Sequence, residues 1–203
     1  MQGREPLNLR GMKLFPGLIG PEAQERLVEA LRGVVREAPL FHPVTPSGKQ
    51  MSVRMTSAGR FGWVSDRHGY RYSETHPMGM RWPAIPQIAL EVWDEVSGTE
   101  REPECCLINF YDAEAKMGMH QDRDEADFGQ PVVSISLGDE ALFRVGNLTR
   151  GGKTESVWLK SGDVLVMGQQ ARLLYHGIDR IKAGSSRILP RGGRINLTLR
   201  VVS

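Results

Sequence analysis

From Cys105 onward the chain is a succession of short β-type segments separated by turn residues, a pattern that few folds accommodate. The segments are Cys105 to Tyr111, Val132 to Leu137, Ala141 to Val145, Glu155 to Leu159, Asp163 to Met167, Leu173 to His176 and Arg194 to Val202. Each is rich in aliphatic or aromatic residues and bounded by Gly, Pro, Asp or Asn. Lys160-Ser161-Gly162-Asp163 reads as a tight hairpin turn, and Gly184 to Gly193 as a surface loop returning the last strand. Upstream, Pro21 opens a helix whose stripe of Leu27, Ala30, Leu31, Val34 and Val35 ends at Pro39, and a second helix is predicted from Ile85 to Val96. Closely spaced strands preceded by helices make an α+β, mainly β chain, and point to a jelly roll with helical support.

Two segments within that series carry chemistry. In extended backbone residues i and i+2 point the same way, so His120 and Asp122 of His120-Gln121-Asp122 can reach one metal ion. The third ligand must come from elsewhere, and His176, on a later segment that reads as a strand, could supply it. Two imidazoles and one carboxylate leave open positions on iron(II) for oxygen chemistry. An isolated His-x-Asp is a weak motif. The last segment adds to it: Arg194, Asn196, Thr198 and Arg200 alternate with Ile195, Leu197, Leu199 and Val201, giving one polar and one apolar face. A surface strand alternates in the same way, but it has no need of two guanidiniums flanking an amide. Arg is suited to bidentate capture of carboxylates, and a cosubstrate with a carboxylate at each end would use two.

A length of 203 residues with 40% hydrophobic content suffices for one domain, 1–203, with a sizeable core. Met1-Gln2-Gly3-Arg4-Glu5-Pro6 lacks the apolar stretch of a secretory signal, and no run is long enough to span a bilayer. Adjacent Cys105 and Cys106 exclude a disulfide framework and fit a reducing compartment, so a soluble cytoplasmic protein without membrane contact is expected. Net charge is only +2, yet Glu91 to Asp127 holds twelve acids and three bases whereas Arg144 to Ser203 holds eleven bases and three acids. A basic half suits a phosphate backbone, and two halves that neutralise each other within the fold account for it equally well. Between Phe41 and Trp82, Met51, Met55, Phe61, Trp63, Tyr70 and Tyr72 interleave with Arg54, Arg60, Arg67, Arg71, Arg81 and glycines, which suits an exposed lid that stacks on bases.

Asn109-Phe110-Tyr111, His120-Gln121-Asp122-Arg123-Asp124-Glu125, Tyr175-His176-Gly177 and Arg194-Ile195-Asn196-Leu197-Thr198-Leu199-Arg200 together resemble, in order, the signature segments of the AlkB family. Its members are iron(II)- and 2-oxoglutarate-dependent dioxygenases that remove alkyl groups from nucleobases. The similarity runs from about Leu40 to the C-terminus and takes in Trp63 and the Pro131 to Gly138 segment. It implies a double-stranded β-helix (jelly roll) with N-terminal supporting helices, a nucleotide-recognition lid over about 40–82 and a jelly-roll core over 105–203.

It also implies roles. Fe(II) falls to His120, Asp122 and His176. Arg200 and Asn109 take the 2-oxoglutarate carboxylate near the metal, and Arg194, Tyr111 and Asn196 the distal one. Trp63 corresponds to the residue stacking on the target base opposite His120, while Tyr70 and Tyr72 match contacts to the nucleic-acid backbone. Met55 matches the pocket lining, Asp124 a carboxylate near the exocyclic nitrogen, and Arg150 a further substrate contact. Met167 departs from the pattern, standing where a relative has tryptophan near the iron.

The activity so implied is repair of alkylated single-stranded DNA by a monomer. Bases such as 1-methyladenine and 3-methylcytosine are demethylated with O2 and 2-oxoglutarate, releasing formaldehyde, succinate and CO2. The alternatives are an RNA or tRNA demethylase, a 2-oxoglutarate-dependent hydroxylase of a non-nucleic substrate, and a nucleic-acid-binding β-barrel without activity.

Overall fold

The computed structural model describes residues 5–203; residues 1–4 of the N-terminal segment discussed above lie outside the described residues. Strands β1 (Leu7–Leu9) and β2 (Met12–Phe15) precede helix α1 (Pro21–Glu37). Next come β3 (Arg54–Gly59), β4 (Gly62–Asp66), β5 (Gly69–Ser73) and α2 (Gln87–Val96). The remainder is β6 (Cys105–Tyr111), β7 (Met117–His120), β8 (Val132–Gly138), β9 (Glu140–Val145), β10 (Glu155–Leu159), β11 (Val164–Met167), β12 (His176–Lys182) and β13 (Arg194–Arg200).

These strands form a seven-stranded sheet in the order β1-β2-β11-β8-β13-β6-β3, a four-stranded sheet in the order β10-β9-β12-β7, and the separate hairpin β4-β5. Two antiparallel sheets face to face, backed by helices, are the expected jelly roll. One apolar cluster fills the space between the sheets, with Leu107, Tyr111, Phe143, Leu165, Met167 and Ile178 among its members. A second joins the outer face of the large sheet to the helices through Leu27, Leu31, Val92, Trp93, Ile135 and Leu197. Sandwiched between them, β8 is buried at every position. Its Val133, Ile135 and Leu137 face the helices, which leaves Ser134 and Ser136 facing the interior. No helix among the described residues is long and apolar enough to cross a membrane.

Several elements differ from the sequence expectation. The Lys160 to Asp163 turn closes no hairpin: β10 pairs with β9 whereas β11 pairs with β2 and β8, so the turn carries the chain from one sheet to the other. Asp163 fixes it, its carboxylate accepting from the Lys160 N–H at 2.8 Å and from that of Gly17 at 2.8 Å. Leu173 to Tyr175 are not strand. A 3-10 turn at Gln169–Ala171 runs into them, and the chain joins the sheet only at His176. Helix α2 starts at Gln87, because Ile85 precedes a proline and is held out of helical backbone.

Within the segment read as a lid, β3 pairs along its length with β6 and contributes Met55 to the core, so only β4-β5 stands apart. Its arginines are also less free than their sequence suggests, since Arg54 lies over the Phe110 ring and Arg71 is paired with Asp66.

Gly162 in the crossing turn has φ +88°, and a Cβ there would lie 2.5 Å from the Ile19 carbonyl oxygen and collide with the Gln24 amide. Gly162→Ala should therefore cost about 1 to 3 kcal/mol of stability, read as the shift of a urea unfolding midpoint. An unshifted midpoint would show the turn to be unconstrained.

Candidate active site

The inner faces of the two sheets enclose a cavity of about 590 Å³. Antiparallel pairing of β7 with β12 sets His120 opposite His176, with ring centroids 4.5 Å apart. Asp122, just past the end of β7, reaches both: its Oδ1 lies 3.7 Å from His120 Nε2 and its Oδ2 3.7 Å from His176 Nε2. One ligand atom from each of the three falls within 4.8 Å of the others. Each Nδ1 sits 2.9 Å from a carbonyl two residues earlier, that of Gly118 for His120 and of Leu174 for His176. A carbonyl only accepts, so each Nδ1 carries the hydrogen, and Nε2 is the ring nitrogen that each turns toward Asp122.

Burial pushes the His176 imidazole down to about 4, with His120 adding to the shift and Asp122 opposing it. At Asp122 burial acts upward but is outweighed by Arg200, His176, His120 and Arg172, which hold the carboxyl well below the usual carboxylate range. At neutral pH the cluster thus offers a buried neutral imidazole and a carboxylate alongside His120, a donor set that fits iron(II). A side chain at Gly177 would meet the Met117 carbonyl oxygen at 2.5 Å, so the two ligand-bearing strands are packed to contact here.

The expected cosubstrate residues come from the large sheet. Register places Arg194 beside Tyr111 and Asn196 beside Asn109 across β13 and β6, and the alternation along β13 turns Arg194, Asn196, Thr198 and Arg200 into the cavity. Arg194 is fully buried. Its Nη2 donates to Ser136 Oγ at 2.7 Å and its Nη1 to the carbonyls of Asp139 and Leu159 at 3.3 and 3.4 Å, but no carboxylate pairs with it among the described residues. Burial pushes this guanidinium down to about 10, against the pull of Tyr111 and Asp163. Arg194 Nε, Arg200 Nε and Asn109 Oδ1 are buried without a partner. A buried cation lacking an anion, with orphaned polar atoms around it, fits a dicarboxylate entering from outside. Asn196 lines the cavity too, but its amide hydrogens are taken by Ser134 Oγ and the Ile135 carbonyl. It braces the wall and has no donor left for a ligand.

Arg200 donates from Nη2 to Asp122 Oδ1 at 2.9 Å and from Nη1 to Glu125 Oε1 at 3.2 Å. The sequence does not single out Glu125 or Arg172, which ion-pair at 2.9 Å with the Glu125 side chain sealed from solvent. The one signal for Arg172 is a lone cation between Ala171 and Leu173-Leu174. Tyr72 corrects the expectation of a backbone contact: its hydroxyl donates inward to Glu125 Oε1 and accepts from Arg200 Nη1, and it does not line the cavity.

At the mouth, Trp63 stacks on Tyr70 with centroids 5.4 Å apart, and its indole N–H donates to Asp124 Oδ2 at 2.8 Å. Arg150 lies over the Tyr175 ring on the rim, while Met55 and Met167 form apolar wall deeper in.

The low His176 value has a consequence for the metal-free protein. Its ordinary value is 6.5 and its folded value about 4, so the unfolded chain takes up the proton more readily. The stability it contributes is complete above pH 6.5 and is lost as pH falls toward 4. In chelator-treated protein, His176→Gln should flatten the decline of urea midpoint across that window; an unchanged slope would place the acid sensitivity elsewhere.

Comparison with known proteins agrees with this geometry. Residues 11–200 match the family described as the 2OG-Fe(II) oxygenase superfamily. The chain is 50% identical over 191 residues to the alpha-ketoglutarate-dependent dioxygenase AlkB homolog of Caulobacter vibrioides (strain NA1000 / CB15N), covering 94% of this chain and 87% of that protein. It is 40% identical over 183 residues to the alpha-ketoglutarate-dependent dioxygenase AlkB of Escherichia coli (strain K12), covering 88% of this chain and 84% of that one. The solved structure of OsALKBH1 superposes with a TM-score of 0.76 at 31% identity, over 96% of this chain and 100% of that chain. With a His-Asp-His cluster and an acid-free arginine in one jelly-roll cavity, the chain belongs to the AlkB family of iron(II)- and 2-oxoglutarate-dependent dioxygenases.

Proposed function

We propose that this enzyme oxidatively demethylates N-alkylated bases such as 1-methyladenine and 3-methylcytosine in single-stranded DNA, as a cytoplasmic monomer engaged in repair. The reading rests on one juxtaposition: a metal-competent cluster and an unpaired buried arginine share a cavity whose mouth carries an indole, a phenol ring and a carboxylate. Two unpaired thiols fit a reducing compartment.

Fe(II) held by His120, Asp122 and His176 supplies, with O2 and 2-oxoglutarate, the oxidising power that hydroxylates an N-methyl group, releasing succinate, CO2 and formaldehyde. The protein's part is position. Arg194 and Tyr111 take the distal carboxylate of 2-oxoglutarate, with Asn196 bracing that wall. Arg200 and Asn109 take the nearer end.

A methylated base must leave its stack to enter, and this costs least in a single strand. Trp63 and Tyr70 offer aromatic faces, and Asp124 at the Trp63 edge complements the positive charge of such a base. Met55 fills the floor, Arg150 lies on the rim, and Tyr72 acts from outside the cavity through Glu125 and Arg200.

The test incubates the protein with iron(II), ascorbate, 2-oxoglutarate and a single-stranded oligodeoxynucleotide carrying 1-methyladenine, and follows methyl loss by mass spectrometry. Demethylation matched by succinate is expected, and is abolished by Ala at His120, Asp122 or His176. Turnover of 2-oxoglutarate without methyl loss would reject a nucleobase substrate, and a large preference for the matching ribo-oligonucleotide would reassign the enzyme to RNA. Arg194→Ala removes a charge-assisted pair worth about 1.5 to 3 kcal/mol, so half-saturation should need about 10- to 150-fold more 2-oxoglutarate.

A stacking role for Trp63 has its own signature. Trp63→Ala should weaken oligonucleotide binding by about 1 to 3 kcal/mol, while 2-oxoglutarate turnover without substrate persists. Equal loss of both would make Trp63 a support of the fold instead.

A further inference from the structure

Asp122 lies beyond the last residue of β7, in backbone that no sheet ladder holds. Its place is set by side chains instead. Arg172 Nη1 donates to the Asp122 carbonyl at 2.6 Å, while Arg172 Nη2 donates to Glu125 Oε2 at 2.9 Å. The other Glu125 oxygen accepts from Arg200 Nη1, and Arg200 Nη2 returns to Asp122 Oδ1. The four residues close a ring in which two carboxylates meet two guanidiniums, each residue no more than 6% exposed. The third Arg172 nitrogen, Nε, donates to the Gln130 carbonyl at 3.0 Å. One planar side chain therefore pins both ends of the 122–130 loop. Arg172 also lies four residues before His176, so a single short segment supplies one imidazole and clamps the main chain of the neighbouring ligand.

We infer that Glu125 and Arg172 are positioning residues for Asp122, holding both its main chain and its carboxylate at the coordinates the metal requires. The inference rests on reading Asp122 as a metal ligand; it is independent of the nucleic-acid substrate. A plain ion pair for stability would not need a fork reaching two carbonyls and a carboxylate at once. An ionic ring sealed from water gains little net stability for its desolvation cost, whereas an outer partner of a metal ligand changes affinity directly.

The experiment measures Mn(II) binding to chelator-stripped protein by isothermal titration calorimetry, a readout that needs no turnover. Glu125→Gln preserves shape and removes the charge; Arg172→Gln removes the fork; Arg172→Lys keeps the charge but cannot span Asp122 and Glu125. All three should raise the Mn(II) dissociation constant by about 10- to 100-fold, at circular dichroism matching that of the unaltered protein. Full affinity in a folded Glu125→Gln protein would overturn the inference, as would complete recovery in Arg172→Lys, which would show that charge alone matters. Should the Arg172 variants fail to fold, Glu125→Gln decides. Asp122→Ala separates the two levels. Lost binding there with full binding in Glu125→Gln sinks this inference alone, whereas retained binding in Asp122→Ala sinks the metal-ligand reading and this inference with it.

Discussion

Keeping guanidiniums buried away from solvent is the energetic demand around which this structure is organised. Arg172, Arg194 and Arg200 are all at least nine-tenths buried. A buried cation is tolerated when an anion and hydrogen bonds replace its water. Arg200 and Arg172 meet that condition through Asp122 and Glu125, which ties the metal site to the interior of the large sheet. Arg194 does not, and its contacts with one serine hydroxyl and two carbonyls leave the charge itself uncompensated. The protein is thus built around a deficit of one negative charge deep in its cavity. On the proposed reading, the distal carboxylate of 2-oxoglutarate supplies it.

The same buried pairs bear on the uneven charge of the chain. The acid-rich stretch before Asp127 and the base-rich stretch after Arg144 meet inside the molecule, in the Asp122–Arg200 and Glu125–Arg172 pairs. Other members of the basic half are spoken for as well: Arg144 pairs with Asp179, and Arg180 and Lys182 lie over Trp158. Internal neutralisation therefore accounts for two of the eleven bases, Arg172 and Arg200, and a third, Arg144, is paired within the basic half itself.

What could be read without coordinates followed from periodicity. The alternation in β13 sorts Arg194, Asn196 and Arg200 onto one face, and the unbroken apolar run of β8 marks a strand covered on both sides. The spacing of His120 and Asp122 allows one metal to be shared, but His176 joins them only through the order of the resembling segments, and the structure brings the three together. Other features leave no such trace. Met117–His120 pairs with β12 although its sequence has no strand alternation, because the partner strand dictates its backbone. Residues 54–59 look like lid by their Arg and Gly content yet form the edge strand of the large sheet beside β6. Glu125 sits in Asp122-Arg123-Asp124-Glu125, where nothing distinguishes the carboxylate that turns inward from the one that faces the mouth. Long-range hydrogen bonds choose between them, and those are not encoded locally.

The position of β13 between β8 and β6 bears on how the molecule assembles. Its neighbours in space are made long before it, so during synthesis both wait with unsatisfied main-chain groups along one edge each. Contacts of such large sequence separation close slowly and leave sheet edges open to mispairing in the interval. Because this late strand also carries Arg194 and Arg200, the cavity gains its two inward cations in the same event that seals the sheet. On the proposed roles of these residues, a chain still lacking this strand has neither arginine to hold 2-oxoglutarate nor the Arg200 contact that positions Asp122.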